Sequence, residues 1–300
     1  MFNKSKLKLI IAFSTIYIIW GSTYLANKFV LESIPPFIFT GFRFTTAGII
    51  LMIYLKIKGE MIPKLSEWKN PFIIGTFMLF IGNGFIAIAQ QKVPSGLTAL
   101  FISVTPLYMS LINWLFHKEE KPLFKEIIGI IVGFFGMVLL IESTSGIEKL
   151  DIDFISFLLV IFSPLAWVFG SIYSKKINKN NPSFMPISIQ MLSGGILLLF
   201  FSFFRNEWTY FSFQNISVKS LLSLFYLIIF GSIITYSAYI WLLKKCPPTL
   251  VSTNTFVNPI IALILGTTIA NEILTFQMIL SSIIIISSVV IITLSHLKKE

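Results

Sequence analysis

The sequence predicts an all-α integral membrane protein with ten transmembrane helices. Of its 300 residues, 55% are hydrophobic and only 12% are charged, and the mean hydropathy is +0.86. A soluble globule of this composition would lack the polar side chains needed to cover its surface. The apolar segments are uniformly hydrophobic instead of alternating at every second residue, which argues against a transmembrane barrel of strands.

Ten segments are long enough to cross a bilayer, since about 20 helical residues span the hydrocarbon core. The first segment follows three lysines and so imitates a signal peptide. It contains Trp20 and Tyr24, however, and lacks a small-x-small cleavage pattern, so we interpret it as a retained helix. No connection is long enough for a soluble catalytic domain. In chain order the segments are Leu7–Phe29, Pro35–Leu55, Pro71–Gln91, Pro94–Phe116, Phe124–Ile141, Phe154–Lys175, Phe184–Phe204, Leu221–Leu243, Pro248–Ala270 and Phe276–Leu297.

The positions of the basic residues predict the orientation of these spans. Of the 23 Lys and Arg, 17 fall in the termini and alternate loops of one side, five fall on the other side, and Arg43 lies within a span. Cytoplasmic loops carry the excess of basic residues in membrane proteins. The bias predicts that both termini are cytoplasmic, and the ten spans predict a multi-pass protein, which we expect in the inner or plasma membrane. The bias also explains the net charge of +10 without a nucleic-acid partner.

An internal repeat relates the two halves of the chain, residues 1–146 and 147–300. Four anchors recur in the same order at offsets of 149 to 153 residues. Each half holds five spans, an odd number, so the second half must insert upside down relative to the first. This predicts two inverted repeats that meet at a central site. The paired anchors are Gly21-Ser-Thr-Tyr24 with Gly170-Ser-Ile-Tyr173, Lys92-Val-Pro94 with Lys245-Cys-Pro247, Pro106 with Pro259, and Glu119 with Glu272.

Seven short motifs resemble a known family, the EamA family of the drug/metabolite transporter superfamily, and most closely its YedA-type members. The resemblance implies ten helices in two inverted repeats, a central cavity lined by both halves, and usually export of amino acids, related metabolites or toxic compounds. The chain departs from the family at Lys118-Glu-Glu-Lys121, where relatives often show Gly-Glu. The motifs are Tyr17-Ile-Ile-Trp-Gly-Ser-Thr-Tyr24, Gly41-Phe-Arg-Phe44, Gly82-Asn-Gly84, Val93-Pro-Ser-Gly96, Ala166-Trp-Val-Phe-Gly-Ser-Ile-Tyr173, Phe230-Gly-Ser-Ile233 and Val257-Asn-Pro259.

Arg43 is the only charged residue deep within an apolar span. An unpaired arginine in that position would cost several kcal/mol, so its side chain must face protein or water. Two roles fit this requirement. Arg43 is either an anchor for an anionic or carboxylate group of a substrate, or a structural arginine bonded to carbonyls at a broken helix.

Aromatic and amide side chains complete the predicted substrate cavity. Trp20 and Trp167 are repeat-related and lie mid-helix, where they would form opposite walls of an apolar cavity or pack the bundle. Asn254 and Asn258 lie one turn apart on one helix face and would present amide groups to a substrate or bond to another helix. The remaining predicted cavity residues are Ser22, Asn83 and Ser171.

Prolines and small residues predict how the helices bend and pack. Pro106 and Pro259 lie about twelve residues inside their spans, where each would kink a gating helix and leave carbonyls without hydrogen bonds. Gly129-x-x-x-Gly133-x-x-Gly136 forms a small-residue face, and Ala262-x-x-x-Gly266 is a weaker copy. Such faces permit close helix packing, within the chain or in a homodimer.

The spans lack the residues that other functions need. They contain no deep Asp or Glu for a proton relay, no Cys/His metal spacing, no phosphate-binding loop and no Ser/His/Asp group, so we expect no enzyme activity, cofactor or metal. The pattern favours a secondary transporter that works by alternating access, and the resemblance implies that it exports small metabolites such as amino acids or related compounds. Broad efflux of drugs or toxic compounds is the alternative, suggested by the 31 Phe and 6 Trp. A non-transporting scaffold would need no convergent polar residues, and a channel would need a more polar pore.

Overall fold

The computed structural model is all-helical in the residues that it describes, as the sequence predicts. It describes residues 4–89, 91–92, 102–117, 122–144, 154–178, 182–269 and 275–297. Within these residues ten helices follow one another, and short helical turns precede some of them. They are α1 (Lys4–Leu31), α2 (Pro36–Ile57), α3 (Leu65–Ala89), α4 (Thr105–His117), α5 (Phe124–Thr144), α6 (Phe154–Asn178), α7 (Met185–Phe204), α8 (Val218–Lys245), α9 (Asn254–Ile269) and α10 (Phe276–Leu297).

Seven of these helices, α1, α2, α3, α6, α7, α8 and α10, are long and apolar enough to cross a membrane. The chain is therefore a multi-pass membrane protein. The spans predicted at α4, α5 and α9 stay predictions. Several sequence features lie outside the described residues: the span start at Pro94, the Val93–Gly96 motif, the domain boundary at 146, and Glu119, Glu120 and Glu272.

The start of α2 is determined by prolines and by a carboxylate from the other half of the chain. Pro36 is the first helical residue, a position where proline loses no hydrogen bond. The next two backbone N–H groups, of Phe37 and Ile38, each donate to a Glu207 carboxylate oxygen at 2.9 Å. Glu207 lies in a short 3₁₀ turn after α7 and is buried. The N-terminus of α2 is thus held by the segment that connects α7 to α8.

Two π-helical segments interrupt α3 and α8 at corresponding places. They span Thr76–Asn83 and Leu227–Ile234, each eight residues long. A side chain bonds five residues back at the end of each segment: Asn83 Nδ2 donates to the Met78 carbonyl at 3.1 Å, and Thr235 Oγ1 donates to the Phe230 carbonyl at 2.7 Å. Such wide turns are frequent at functional sites. They extend the similarity of the halves beyond the sequence motifs.

The main contacts between helices have equivalent contacts between their counterparts in the other half of the chain. Helix α2 packs on its counterpart α7, and α5 packs on its counterpart α10. Helix α1 contacts α8 and α9, just as α6 contacts α3 and α4. Helix α3 contacts α7, as α8 contacts α2. The core therefore lies where the first four helices of one half meet those of the other.

The small-residue face of α5 is covered by α10. A Cβ added at Gly129 would lie 2.6 Å from Ile292, and one added at Gly136 would lie 2.8 Å from Ile285. These glycines permit the two helices to approach closely. This explains the motif as packing within the chain, and a homodimer stays a prediction. The side chains at Ala262 and Gly266 lie outside the described residues.

Polar contacts join the loops at each end of the bundle. At one end Lys219 Nζ pairs with Glu32 Oε1 at 3.1 Å, and Arg205 Nη2 donates to Gln91 Oε1 at 3.1 Å. At the other end Lys244 Nζ lies 3.5 Å from the Ser183 carbonyl. The loops that the sequence assigned to one side do meet at one end. Which end is cytoplasmic stays a prediction.

Candidate functional site

A cavity of about 150 Å³ opens between helices of both halves. Six of the eight predicted cavity residues line it, from α1, α2, α3, α6 and α9. Thr23, Tyr24, Asn27, Gly231 and Tyr236 also line it and were not predicted. The six are Trp20, Arg43, Asn83, Trp167, Asn254 and Asn258.

One face of α1 forms the first side of the cavity. Trp20, Thr23, Tyr24 and Asn27 follow one another at the spacing of residues that share a helix face. The Thr23 hydroxyl donates to the Trp20 carbonyl at 2.6 Å, so its hydrogen bond is made within the helix. Asn27 was missed, although its spacing from Trp20 is a signal that could have identified it.

Trp20 and Trp167 form one continuous aromatic wall and do not face each other across the cavity. Their ring centroids are 5.7 Å apart in an edge-to-face arrangement. Tyr239 packs against both, at 5.2 Å and 5.5 Å. Trp20 Nε1 donates to the Gly231 carbonyl at 3.0 Å, and Trp167 Nε1 donates to the Tyr239 hydroxyl at 2.9 Å. The rings of the wall are therefore held in place by hydrogen bonds as well as by packing.

The structure places Ser22 and Ser171 outside the cavity lining. The Ser22 hydroxyl bonds to the Ile19 carbonyl and to the Tyr226 hydroxyl. The Ser171 hydroxyl bonds to the Tyr239 hydroxyl at 2.9 Å and to the Trp167 carbonyl at 2.8 Å. Ser171 thus supports the aromatic wall from behind.

Arg43 is the charged residue of the cavity and is only 6% exposed. Its Nε donates to the Ser232 hydroxyl at 2.8 Å, and the guanidinium carbon lies 5.0 Å from the Phe44 ring centroid. Within the described part of the chain no carboxylate pairs with it, and its two Nη atoms have no hydrogen-bond partner. A Cβ added at Gly231 would lie 3.0 Å from Arg43 Nη2, so the glycine leaves room for the guanidinium.

Amide groups supply further polar lining, beside the hydroxyl side chains of Tyr24, Thr105, Ser163, Tyr236 and Thr255. Asn83 donates to the Met78 carbonyl and is therefore committed to its own helix. Across the described residues, the side chains of Asn27, Asn254 and Asn258 make no hydrogen bond, and the Oδ1 atoms of Asn27 and Asn258 are buried without a donor. Buried polar atoms of this kind are rare and need an explanation.

The two prolines differ in their place in the described helices. Pro106 is in the first turn of α4, directly after helical residues 102 and 103 and a turn at Val104, and the kink expected there stays a prediction. Pro259 is inside α9, five residues after its start at Asn254, and so leaves a carbonyl without its helical donor. Pro164 lies inside α6, lines the cavity and was not predicted as a kink.

A buried carboxylate in α5 lies away from the cavity. Glu126, in the first turn of α5, accepts a hydrogen bond from the Ser110 hydroxyl at 2.9 Å. It is near a helix end, so it does not alter the expectation that the spans hold no deep acid. No group of metal-ligating side chains is found among the described residues.

The chain is similar to known proteins over most of its length. Residues 7–142 and 154–294 each match the EamA-like transporter family. The uncharacterized inner membrane transporter YedA of Escherichia coli (strain K12) is 34% identical over 284 residues, which cover 94% of this chain and 90% of that protein. The uncharacterized transporter YoaV of Bacillus subtilis (strain 168) is 24% identical over 302 residues, 98% and 99% of the two chains. A solved crystal structure, 17% identical, superposes with a TM-score of 0.78 over 96% of this chain and 97% of that one, which bears on the fold alone.

Proposed function

The chain belongs to the EamA-like transporter family, and from that premise we propose that it exports small carboxylate-bearing metabolites by alternating access. As a member of this family it is a membrane transporter and not an enzyme. The observation that carries the substrate proposal is Arg43, a buried cation that lines the central cavity with no carboxylate beside it in the described residues. A cation in such a site needs an anionic partner, and a substrate carboxylate would supply it.

The proposed mechanism rests on two inverted repeats, residues 1–146 and 147–300. Two matches to the same family, the two π-helical segments and the exchange of helix contacts all support a duplication. Five helices in each half would invert the second relative to the first. The halves would then rock around the cavity and open it to each side in turn.

The size and lining of the cavity favour metabolites such as amino acids or related compounds over bulky drugs. Its volume of about 150 Å³ is below the roughly 300–1,000 Å³ of sites for drug-sized ligands. The aromatic wall would hold an apolar part of the substrate, while Arg43 and the amides hold its polar groups. Broad drug efflux remains the alternative, and a scaffold would have no use for this convergence of polar groups. Export, as opposed to uptake, follows from the resemblance to the family.

The proposed location is the inner or plasma membrane, with both termini in the cytoplasm. The relative YedA is named as an inner membrane protein, and seven helices of this chain suit a bilayer. The excess of basic residues at one end supports the orientation. The bilayer and a small molecule are therefore the proposed partners.

Transport by the purified protein in proteoliposomes tests this function. A panel of labelled amino acids, sugars and nucleobases would be offered to vesicles with the protein, with the Arg43→Leu variant, and without protein. We expect amino acids to be taken up only by the first set, because leucine removes the anchoring charge. Uptake of sugars or nucleobases that does not depend on Arg43 would contradict the proposal.

A further inference from the structure

Two amide oxygens in the cavity lack a donor. Asn27 Oδ1 and Asn258 Oδ1 are both buried, and neither accepts a hydrogen bond from any described residue. Both residues line the cavity, from α1 and α9 respectively. The Asn258 side chain is only 6% exposed. Burying an acceptor without a donor is unfavourable, so a role in helix packing would not explain either amide.

The positions of Asn27 and Arg43 suit the two polar groups of one small molecule. A Cβ at Gly231 would lie 3.0 Å from Arg43 Nη2 and 3.1 Å from Thr23 Cγ2, so the guanidinium lies at the level of Thr23. Asn27 follows Thr23 on the same face of α1 after one turn, roughly 6 Å along the axis. A compact substrate would reach both side chains.

The charges of the cavity limit the chemistry of the second polar group of the substrate, the group that would meet the amide oxygens. Arg43 is the only charged residue among the lining side chains that the structure describes. The site therefore offers a cation for a carboxylate and, beyond it, amide oxygens that accept hydrogen bonds. A substrate that carried only a carboxylate would leave both oxygens without donors.

We infer that Asn27 and Asn258 are specificity-determining residues that select substrates with a hydrogen-bond donor in addition to the carboxylate. This inference rests on the proposed function, since it assumes that Arg43 holds the carboxylate. The donor is an ammonium or a hydroxyl group, and both present N–H or O–H to an amide oxygen. A site built around unpaired acceptors discriminates strongly against an analogue that lacks the donor.

Matched acids would test the inference on the reconstituted full-length protein. The probes are leucine, its 2-hydroxy analogue and its deaminated analogue 4-methylpentanoate, with the corresponding phenylalanine series. Each acid would compete with a labelled amino acid for uptake. The assay would use the wild type, Asn27→Leu and Asn258→Leu. We expect the wild type to prefer a donor-bearing acid about tenfold, which corresponds to roughly 1.4 kcal/mol, within the range for an unpaired buried acceptor. Each leucine variant should lose most of that preference without weaker binding of 4-methylpentanoate.

A control and a second variant make the test decisive. Asn83→Leu removes a cavity amide that already bonds to the Met78 carbonyl, so it should change the affinity for all three acids by the same factor. Asn27→Asp keeps the shape of the side chain and adds a negative charge, so it should favour leucine over the hydroxy acid even if a leucine variant fails to fold.

The outcomes separate this inference from the proposed function. If the wild type binds all three acids alike, or if Asn27→Leu and Asn258→Leu keep the preference, the inference fails while carboxylate transport stands. If none of the acids competes and uptake does not depend on Arg43, the proposed function fails and this inference fails with it.

Discussion

Trp20 and Trp167 contact each other edge to face, with ring centroids 5.7 Å apart, although they come from different halves of the chain. Each indole N–H is also bonded, to the Gly231 carbonyl and to the Tyr239 hydroxyl respectively. Rings fixed in this way present a rigid surface, so little conformational entropy is lost when a ligand packs on them. The arrangement places a preorganised apolar wall beside the charge of Arg43.

Removal of this wall should weaken substrate binding. Trp20→Ala deletes the ring, so we expect the affinity for a transported amino acid to fall about tenfold and transport to slow. Calorimetry on purified protein and uptake into vesicles would measure the two effects. Gly133→Ala is the control, because a Cβ there would lie 2.6 Å from the Ser288 hydroxyl and should lower stability instead of affinity. Unchanged binding by Trp20→Ala would place the substrate elsewhere.

Substrate binding at Arg43 should depend on the forked geometry of the guanidinium as well as on its positive charge. Arg43→Lys keeps the charge but loses the forked donors, so KM for a carboxylate substrate should rise while protein yield is unchanged. Loss of expression, with normal kinetics in the protein that remains, would instead assign Arg43 a structural role.

Gly231 provides an independent way to displace the guanidinium. A methyl group there would lie 3.0 Å from Arg43 Nη2, so Gly231→Ala should shift the guanidinium without removing it. We expect a several-fold higher KM for carboxylate substrates in the uptake assay. Gly82→Ala provides a comparison at another cavity glycine, because the added Cβ would lie 3.2 Å from the Phe77 carbonyl oxygen and 3.3 Å from Trp167, not against Arg43. Equal KM values for Gly231→Ala and the wild type would show that the guanidinium position is not critical.

The orientation of the chain can be tested at Cys246, its only cysteine. This residue lies between α8 and α9 and is partly exposed. If both termini are cytoplasmic, a membrane-impermeant maleimide should label it only after cells are opened. In the Cys246→Ser background, Asn215→Cys in the exposed connection before α8 should be labelled in intact cells. The reverse pattern would invert the topology.

Glu207 should make the stability of the α2 contact depend on pH. Burial raises the pKa of its carboxyl above the ordinary value, although the Ile38 and Phe37 N–H groups and the Arg205 charge act in the opposite sense. Because the pKa is raised in the folded state, the protonated carboxyl stabilises the fold. This contribution is fully present below the ordinary pKa of 4.5 and is lost as the pH rises through the raised value. The apparent Tm of the wild type in detergent should therefore fall relative to that of Glu207→Gln between about pH 4 and 7.

A second substitution at Glu207 separates charge from hydrogen bonding. Glu207→Ala leaves two N–H groups of α2 without their acceptor and should destabilise the protein by about 1–3 kcal/mol at any pH in this range. A parallel pH dependence in the wild type and in Glu207→Gln would show that this carboxyl does not titrate there.

The sequence alone determined the class of the protein and most of its helix positions. Runs of apolar residues of bilayer length can only be helices in lipid, so their number and order follow from local composition. The family could also be identified from motifs that run along the chain, and the two family matches confirm it. Trp20, Arg43, Trp167 and Asn258 were identified as cavity residues because polar or aromatic side chains stand out against apolar spans.

Only the tertiary structure decided which of the remaining side chains reach the cavity. Tyr236 resembles an ordinary helix residue in the sequence, and Asn27 differs from one only in its spacing from Trp20. The role of both depends on the neighbouring helices that enclose them. Ser22 and Ser171 belong to matching motifs but bond to Tyr226 and Tyr239 instead of lining the cavity. The sequence pattern records which residues share a helix face. The rotation of each helix, and therefore the exposure of that face to a cavity, is decided by packing against helices that are distant in the chain.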